Sequence, residues 1–225
     1  MANEIKLTVQ EICDILEIKL PAEYASLANE TVTNITSVVN SLAPGGVFIL
    51  YGKNAEERER LLKRALSEKP KLVLAGKASR SLPQLQEVPH AFVKDGYGSV
   101  VRLSAAFREK LGLTVVGVTG SLGKTSTKEL LHAVLSQQYV ADKNFGNRKN
   151  TTGIFLSMQE IKNDVEYYVQ EYGVAIGSRS MESKIQACVP NAAVITNISD
   201  PHVEILGSRE NILKEKIKLV TEMAD

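Results

Sequence analysis

Tryptophan is absent from the 225-residue chain and cysteine is scarce. The two cysteines, Cys13 and Cys188, lie far apart, and neither has a second cysteine at metal-ligand or redox spacing. We interpret both as buried, reduced thiols. The few aromatic residues form no stacking pattern, and the 27 basic and 26 acidic residues are interspersed. Composition therefore gives no argument for a nucleic acid or an anionic membrane as a partner.

Long apolar runs are also missing. The longest, such as residues 113–118, are far shorter than the roughly 18 to 20 residues that a membrane-spanning helix needs. Residues 1–8 lack the apolar core of a secretory signal. With 44% apolar and 24% charged residues, the composition is that of an ordinary soluble globular protein. We therefore expect a cytoplasmic protein.

From residue 113 onward, short apolar runs alternate with amphipathic stretches, which is the pattern of βαβ units around a parallel sheet. The pattern predicts strands at residues 113–119, 139–143, 165–173 and 192–198. It predicts helices at residues 124–137, 151–161, 180–188 and 208–223.

The sequence before residue 113 has a different texture. A Pro44-Gly45-Gly46 turn precedes a predicted strand at 47–50, a charged helix at 56–68 and a strand at 72–75, and a polar loop is predicted at 79–89. The fold class predicted is α/β, with a small α/β domain (1–95), a connecting helix (96–112) and a parallel-sheet domain (113–225).

The densest chemical signal is a glycine-rich loop between a predicted strand and a predicted helix. Residues 117–127 read G-V-T-G-S-L-G-K-T-S-T. Glycines let a backbone turn tightly so that amides face phosphate oxygens, and a helix N-terminus adds its positive dipole end. Lys124 is predicted to reach the β- and γ-phosphates, and the Thr125 hydroxyl to bind Mg²⁺. The strict P-loop formula is not met, because Val118 stands where its first glycine falls.

The predicted nucleotide-binding residues are those of the loop and one asparagine that follows it: Gly120, Ser121, Leu122, Gly123, Lys124, Thr125, Ser126 and Asn147.

Several segments in a fixed order resemble the Mur ligases. The T-G-x-x-G-K-T-S pattern at 119–126 is similar to the ATP loop of that family. Residues 146–153 resemble the G-N-x-N-N-x-x-G segment of the D-alanyl-D-alanine-adding member, with Lys149 in place of an asparagine. Further matches are E-Y-G at 171–173, V-I-T-N-I at 194–198 followed by His202, and L-G-S at 206–208. The resemblance spans residues 113–219. It implies that residues 113–225 form an incomplete P-loop ATPase domain and that residues 1–95 form a substrate-binding-like domain.

This resemblance implies an ATP-dependent ligase that forms an amide bond through an acyl phosphate, adding D-Ala-D-Ala to a UDP-linked muramyl peptide in peptidoglycan precursor synthesis. It implies ATP and Mg²⁺, or Mn²⁺, as cofactors. It also implies catalytic roles for Lys124, His202 and Lys216, and metal contacts from Thr125, Glu171, His202 and Lys216. Carboxylate oxygen suits Mg²⁺, whereas imidazole is unusual on it, so His202 contacts either a metal-bound water or Mn²⁺.

Lys216 and Asn147 each carry a second interpretation. On a helix, Lys216 falls within the apolar stripe of Ile212, Leu213, Val220 and Met223, so its stem either packs while its ammonium reaches solvent, or its charge changes. The family match favours the second alternative, a carbamylated lysine. Asn147 is interpreted as a contact to phosphate or to a metal-bound water, or as a turn residue.

Two departures from the family keep other functions open. Residues 43–49 resemble the P-G-x-L-F-V turn and strand of the uridine-binding domain, but residues 37–40 read S-V-V-N where relatives carry T-D-S-R. A Mur-like ligase for another carboxylate is therefore one alternative. Relatives are also longer and include a domain that presents the amine. The second alternative is a ligase-derived nucleotide-binding protein, and residues 1–225 alone are expected to be inactive and monomeric.

Overall fold

The computed structural model describes residues 4–174, 181–199 and 207–224. The chain forms two compact units, one of Lys6–Leu103 and the other of Met1–Ile5 with Ser104–Asp225. The helix predicted to connect two domains, at 96–112, is present as Gly96–Leu111, and it begins in the first unit and ends in the second. No helix in the described residues is long and apolar enough to cross a membrane.

The first unit is built on a parallel sheet whose strand order is the chain order. Its strands are β1 (Ile35–Thr36), β2 (Val47–Leu50), β3 (Leu72–Gly76) and β4 (His90–Val93). Its helices are α1 (Val9–Leu16), α2 (Ala55–Ser67) and the first half of α3 (Gly96–Leu111), with 3-10 turns at Ala22–Leu27, Val39–Ser41, Lys77–Ser79 and Pro83–Glu87. All four residues of β2 are buried, as expected for a central strand of a parallel sheet covered on both faces.

The second unit is a parallel sheet in the order β6-β7-β5-β8. Its strands are β5 (Thr114–Thr119), β6 (Ala141–Lys143), β7 (Tyr167–Glu171) and β8 (Ala192–Ile195). Its helices are α4 (Lys124–Leu135), α5 (Thr151–Glu160), α6 (Met181–Ala187) and α7 (Arg209–Thr221). The predicted α/β class is confirmed, with one parallel sheet in each of the two units.

Each of the eight helices and strands predicted from residue 113 onward is present, with shifted ends. The largest shift is in the last strand, which was predicted to reach residue 198 but ends at Ile195. Beyond it, Thr196 and Asn197 bond to the glycine-rich loop. The polar loop predicted at 79–89 contains the 3-10 turn Pro83–Glu87.

Gly117 sets how closely α7 approaches the sheet. A Cβ atom at Gly117 would lie 3.1 Å from Tyr172 Cε2 and 3.3 Å from Leu219 Cδ2, so a larger residue would require these side chains to shift by a few tenths of an ångström. Leu219 is one of the three fully buried residues of α7, with Ile212 and Lys216. The close contact at Gly117 therefore brings the buried face of α7, and Lys216 with it, against β5.

Candidate nucleotide and metal site

The glycine-rich loop follows β5 and opens α4, as predicted. Gly120 has φ +148° and Gly123 has φ +76°, conformations that favour glycine. Gly120 is required a second time, because a Cβ there would lie 1.9 Å from the Thr196 hydroxyl. Gly123 is the N-cap of α4, whose first-turn amides have no partner within the helix. The loop thus presents the amides and positive dipole end of α4 to an anion.

The residues after β8 hold this loop in place. Asn197 Oδ1 accepts hydrogen bonds from the amides of Ser121 (3.1 Å) and Leu122 (2.9 Å). Thr196 donates its hydroxyl to the Leu122 carbonyl at 2.5 Å. These contacts direct two loop amides at Asn197, which leaves the first turn of α4 as the part of the loop that faces outward. The V-I-T-N-I pattern in the sequence does not by itself indicate that these residues hold the glycine-rich loop.

Lys124 is half-buried at the start of α4. Its ammonium donates to the carbonyls of Gly120 (2.8 Å) and Ser121 (3.1 Å), so it lies across the loop. Burial lowers the pKa of this ammonium, the nearby Glu171 carboxylate raises it, and the Lys149 ammonium lowers it. Lys124 is thus a cation within the electrostatic reach of both Glu171 and Lys149.

Thr125 and Glu171 come together at the carboxyl edge of the sheet. The Thr125 hydroxyl donates to Glu171 Oε2 at 2.9 Å. Glu171 ends β7 and is 2% exposed, and Asn144 Oδ1 fixes its backbone by accepting its amide hydrogen at 2.7 Å. The other carboxylate oxygen, Oε1, is buried and accepts no hydrogen bond from the described residues. A hydroxyl oxygen next to an unsatisfied carboxylate oxygen fits Mg²⁺, a cation that prefers hard oxygen ligands.

Asn144 is the residue of this arrangement that sequence reasoning missed. It is fully buried, and besides holding the Glu171 amide it accepts a hydrogen bond from the Lys128 ammonium on its own carbonyl, at 3.0 Å. Lys128 is 2% exposed on α4. From sequence alone, a lysine within a helix is usually interpreted as a solvent-exposed charge, so no sequence pattern indicated the contact between Lys128 and Asn144.

Lys216 lies on the buried face of α7 and is 1% exposed. Burial, and then the charge of Lys124, lower the pKa of its ammonium to about 8. The predicted burial of Lys216 is confirmed, but the predicted stripe is displaced. Leu213 and Val220 are exposed, and the buried residues are Ile212, Lys216 and Leu219. Lys216 therefore lies at the centre of the buried face and close to the glycine-rich loop.

Other predicted residues are less tied to this cluster. Asn147 is exposed, and its described contact is the hydrogen bond that its backbone carbonyl accepts from the Lys149 amide. Leu122 and Ser126 are also exposed. His202 lies outside the described residues. Within the described part of the chain, no three His, Cys, Asp or Glu side chains come together as a metal site.

Comparison with known proteins accounts for this arrangement. Residues 118–225 match the Mur ligase middle domain. The second half of the chain therefore resembles the middle domain of the Mur ligase family. Over 149 residues it is 39% identical to the UDP-N-acetylmuramoyl-tripeptide–D-alanyl-D-alanine ligase of Bacillus subtilis, a match that covers 65% of this chain and 32% of the relative. The Escherichia coli ligase of the same name is 29% identical over 212 residues, covering 94% and 44%.

Solved structures agree with the fold of this chain. MurF from Acinetobacter baumannii superposes with a TM-score of 0.83 at 20% identity, covering 98% of this chain and 47% of that one. MurF from Thermotoga maritima, solved in complex with ADP, gives 0.69 at 24% identity, covering 84% and 43%. The chain therefore spans less than half the length of each of these relatives.

The asparagine-rich segment at residues 146–153 forms a turn that its own residues stabilise. Asn150 is the N-cap of α5, and its side chain accepts the amide hydrogen of Gly153 at 2.8 Å. A Cβ at Gly153 would lie 2.7 Å from the Arg148 backbone. The segment is thus a tight turn into α5, and it sets Lys149 beside Glu171.

Proposed function

We propose that this chain is the nucleotide-binding part of an ATP-dependent amide ligase. The proposed reaction adds D-alanyl-D-alanine to a UDP-linked muramyl peptide during peptidoglycan precursor synthesis. The observation that carries the proposal is the meeting of Lys124, Thr125 and Glu171 around the loop that opens α4. The names of the relatives in Bacillus subtilis and Escherichia coli support the choice of substrates.

The proposed chemistry has two steps. A substrate carboxylate oxygen attacks the γ-phosphorus of ATP and ADP leaves, giving an acyl phosphate. The amine of D-Ala-D-Ala then attacks the acyl carbon, phosphate leaves and the amine loses a proton. Lys124 and the first-turn amides of α4 offset the repulsion between the phosphates and the incoming carboxylate. Thr125 and Glu171 would hold Mg²⁺, which supplies further charge neutralisation when bound.

Lys216 has a proposed role that its environment supports. With a pKa lowered to about 8, the neutral amine that reacts with CO₂ is present in about one tenth of molecules at pH 7. Attack of the nitrogen on CO₂ forms an N–C bond, and the nitrogen loses a proton. The resulting carbamate replaces a buried cation with an anion that has two oxygens. Carbamylated Lys216, together with His202, would then be a ligand for the metal.

Partners and location follow from the proposed reaction. The small-molecule partners are ATP, the UDP-linked muramyl peptide and D-Ala-D-Ala. Because ATP is the energy source, the reaction favours the cytoplasmic location predicted from sequence.

One observation favours a second candidate, a ligase of the same chemistry that acts on another carboxylate. Where relatives carry T-D-S-R, Val39 is buried in the core of the first unit and Val38 is 38% exposed. Neither side chain can hydrogen-bond to a nucleotide sugar. The uridine part of the substrate is therefore the least supported element of the first candidate.

The test is phosphate release by a full-length ligase that carries this sequence. Release that requires both the UDP-linked muramyl tripeptide and D-Ala-D-Ala supports the first candidate. Release that requires D-Ala-D-Ala with another carboxylate supports the second. Phosphate release that is independent of any amine or carboxylate would contradict both.

A further inference from the structure

Lys149 places a positive charge on the carboxylate proposed to bind metal. Its Nζ lies 3.7 Å from Glu171 Oε1, the oxygen that accepts no hydrogen bond from the described residues. The Glu171 side chain is 3% exposed and that of Lys149 is 38% exposed. An ion pair with one partner this deeply buried is screened by solvent less than a surface pair.

The position of Lys149 is fixed by the backbone around it. Its amide donates to the Asn147 carbonyl at 2.9 Å, and its carbonyl accepts the Gly173 amide hydrogen at 3.2 Å. The stem of Lys149 crosses Gly173 so closely that a Cβ there would lie 3.0 Å from both Cγ and Cδ. Because Gly173 has no side chain, the stem of Lys149 can pass over it and reach Glu171.

The same ammonium also acts on the phosphate-binding lysine. Glu171 and Lys149 both influence the Lys124 ammonium, with opposite signs, so the three charges form one cluster. A divalent cation at Glu171 would lie next to the Lys149 ammonium and be repelled by it. An anion at the N-terminus of α4 would be attracted by both lysines.

We propose that the Lys149 ammonium competes with the divalent metal for Glu171 and supplies part of the positive charge that attracts the nucleotide phosphates. This inference rests on the proposed nucleotide site. It makes Lys149 the residue that sets how strongly nucleotide binding depends on metal. The Mur pattern has asparagine at this position, so Lys149→Asn is the direct test.

The experiment has two arms. Mn²⁺ alone is titrated and followed by electron paramagnetic resonance, and ATP is titrated by calorimetry with Mg²⁺ or with EDTA. We expect Lys149→Asn to bind Mn²⁺ roughly three- to tenfold more tightly, and to bind ATP in EDTA more weakly by a similar factor. The ratio of ATP affinities with and without Mg²⁺ should therefore rise roughly three- to tenfold, because the lost attraction for the phosphates is common to both conditions.

Three further variants make the result decisive. Lys149→Gln keeps most of the stem and should behave as Lys149→Asn does, whereas Lys149→Arg keeps the charge and should behave as the wild type does. Lys63→Asn removes a lysine from the Lys63–Glu59 ion pair in the other unit, with the same change in net charge, and should change neither arm. Equal Mn²⁺ affinity in the wild type and both neutral variants would overturn the proposal.

The two proposals fail separately. Unchanged ATP affinity in Lys124→Ala would contradict the nucleotide site, while the Mn²⁺ arm, which contains no nucleotide, would still decide the role of Lys149.

Discussion

Lys216 is a buried lysine whose pKa, about 8, lies below its ordinary value of 10.5. Below pH 8 both the folded and unfolded states carry its proton, and the full cost of burying the charge is present. Between about pH 8 and 10.5 the unfolded state binds more protons, so stability rises with pH. We predict that Lys216→Met, in CO₂-free buffer, raises the free energy of unfolding by roughly 1 to 3 kcal/mol at pH 7.

The difference between this variant and the wild type should shrink from pH 8 to 10.5 in urea denaturation curves. Lys184, which donates to the Gly173 carbonyl at 2.6 Å and has a pKa also lowered by burial to about 8, is present in both proteins and cancels. A constant difference over this pH range would contradict the prediction, because it would mean that burying the Lys216 charge does not lower the free energy of unfolding.

The carbamate at Lys216 is a second prediction for this residue. In a full-length ligase, Lys216→Ala should abolish ligation, and added chloride or bicarbonate should restore part of it by occupying the vacated anion site. With ¹³C-labelled CO₂, a carbamate resonance should be present in the wild type and absent in the variant. Lys184→Ala is the matched control and should keep the resonance. Full ligation by unrescued Lys216→Ala would remove this lysine from the mechanism.

The chemistry of individual site residues was predictable only where a motif named them. The loop sequence predicted Lys124 and Thr125, and the strand pattern predicted Glu171 at the carboxyl edge. Asn144 was not predictable, because its role depends on β6 and β7 being neighbours, which makes its side chain an acceptor for the Glu171 amide. The ion pair of Lys149 depends equally on how the turn at 146–150 packs against Gly173.

The segment after β8 holds the glycine-rich loop in place through hydrogen bonds made by Thr196 and Asn197. Removing the Asn197 side chain leaves the amides of Ser121 and Leu122 without their acceptor, so the loop should lose its fixed shape. We predict that Asn197→Ala weakens Mg-ATP binding roughly three- to tenfold in calorimetric titrations.

A matched asparagine lies at the other end of β5. Asn191 Oδ1 accepts the Val115 amide hydrogen at 2.9 Å. Val115 lies near the start of β5, whereas the glycine-rich loop follows the end of that strand. Asn191→Ala should cost stability of about 1 kcal/mol but leave Mg-ATP affinity unchanged. Equal loss of affinity in both variants would contradict a specific role of Asn197 at the loop, because a general loss of stability would explain both results.

At the scale of elements, periodicity predicted the second unit well because β5 and β8 are short, mainly apolar runs and helical stretches separate its strands. The first unit was harder to predict. Strand β1 has two residues, and β4 carries His90, so neither gives an apolar run. Helix α1 is signalled by a capping box of Thr8 and Glu11 that sequence reasoning overlooked.

Residues 37–40 of the first unit read S-V-V-N where the Mur ligases that the chain resembles carry the T-D-S-R signature that helps to hold a nucleotide sugar. A binding site that loses a hydrogen-bonding group forfeits about 1 to 3 kcal/mol for each partner left buried and unpaired. We therefore predict that the UDP-linked muramyl peptide binds weakly or not at all to residues 1–225, a result that would favour the second candidate function over the first. Micromolar binding, measured by calorimetry, would show that other residues of the first unit recognise the nucleotide.

Nucleotide binding at the loop that opens α4 is the property on which all of the proposed chemistry depends. The most direct measurement is calorimetric titration of Mg-ATP into the wild type, Lys124→Ala, and Lys63→Ala as a control for charge. We predict that the wild type binds, that Lys63→Ala binds equally well, and that Lys124→Ala loses most of the affinity, by roughly tenfold or more. Equal affinity in the wild type and Lys124→Ala would contradict the assignment of the site.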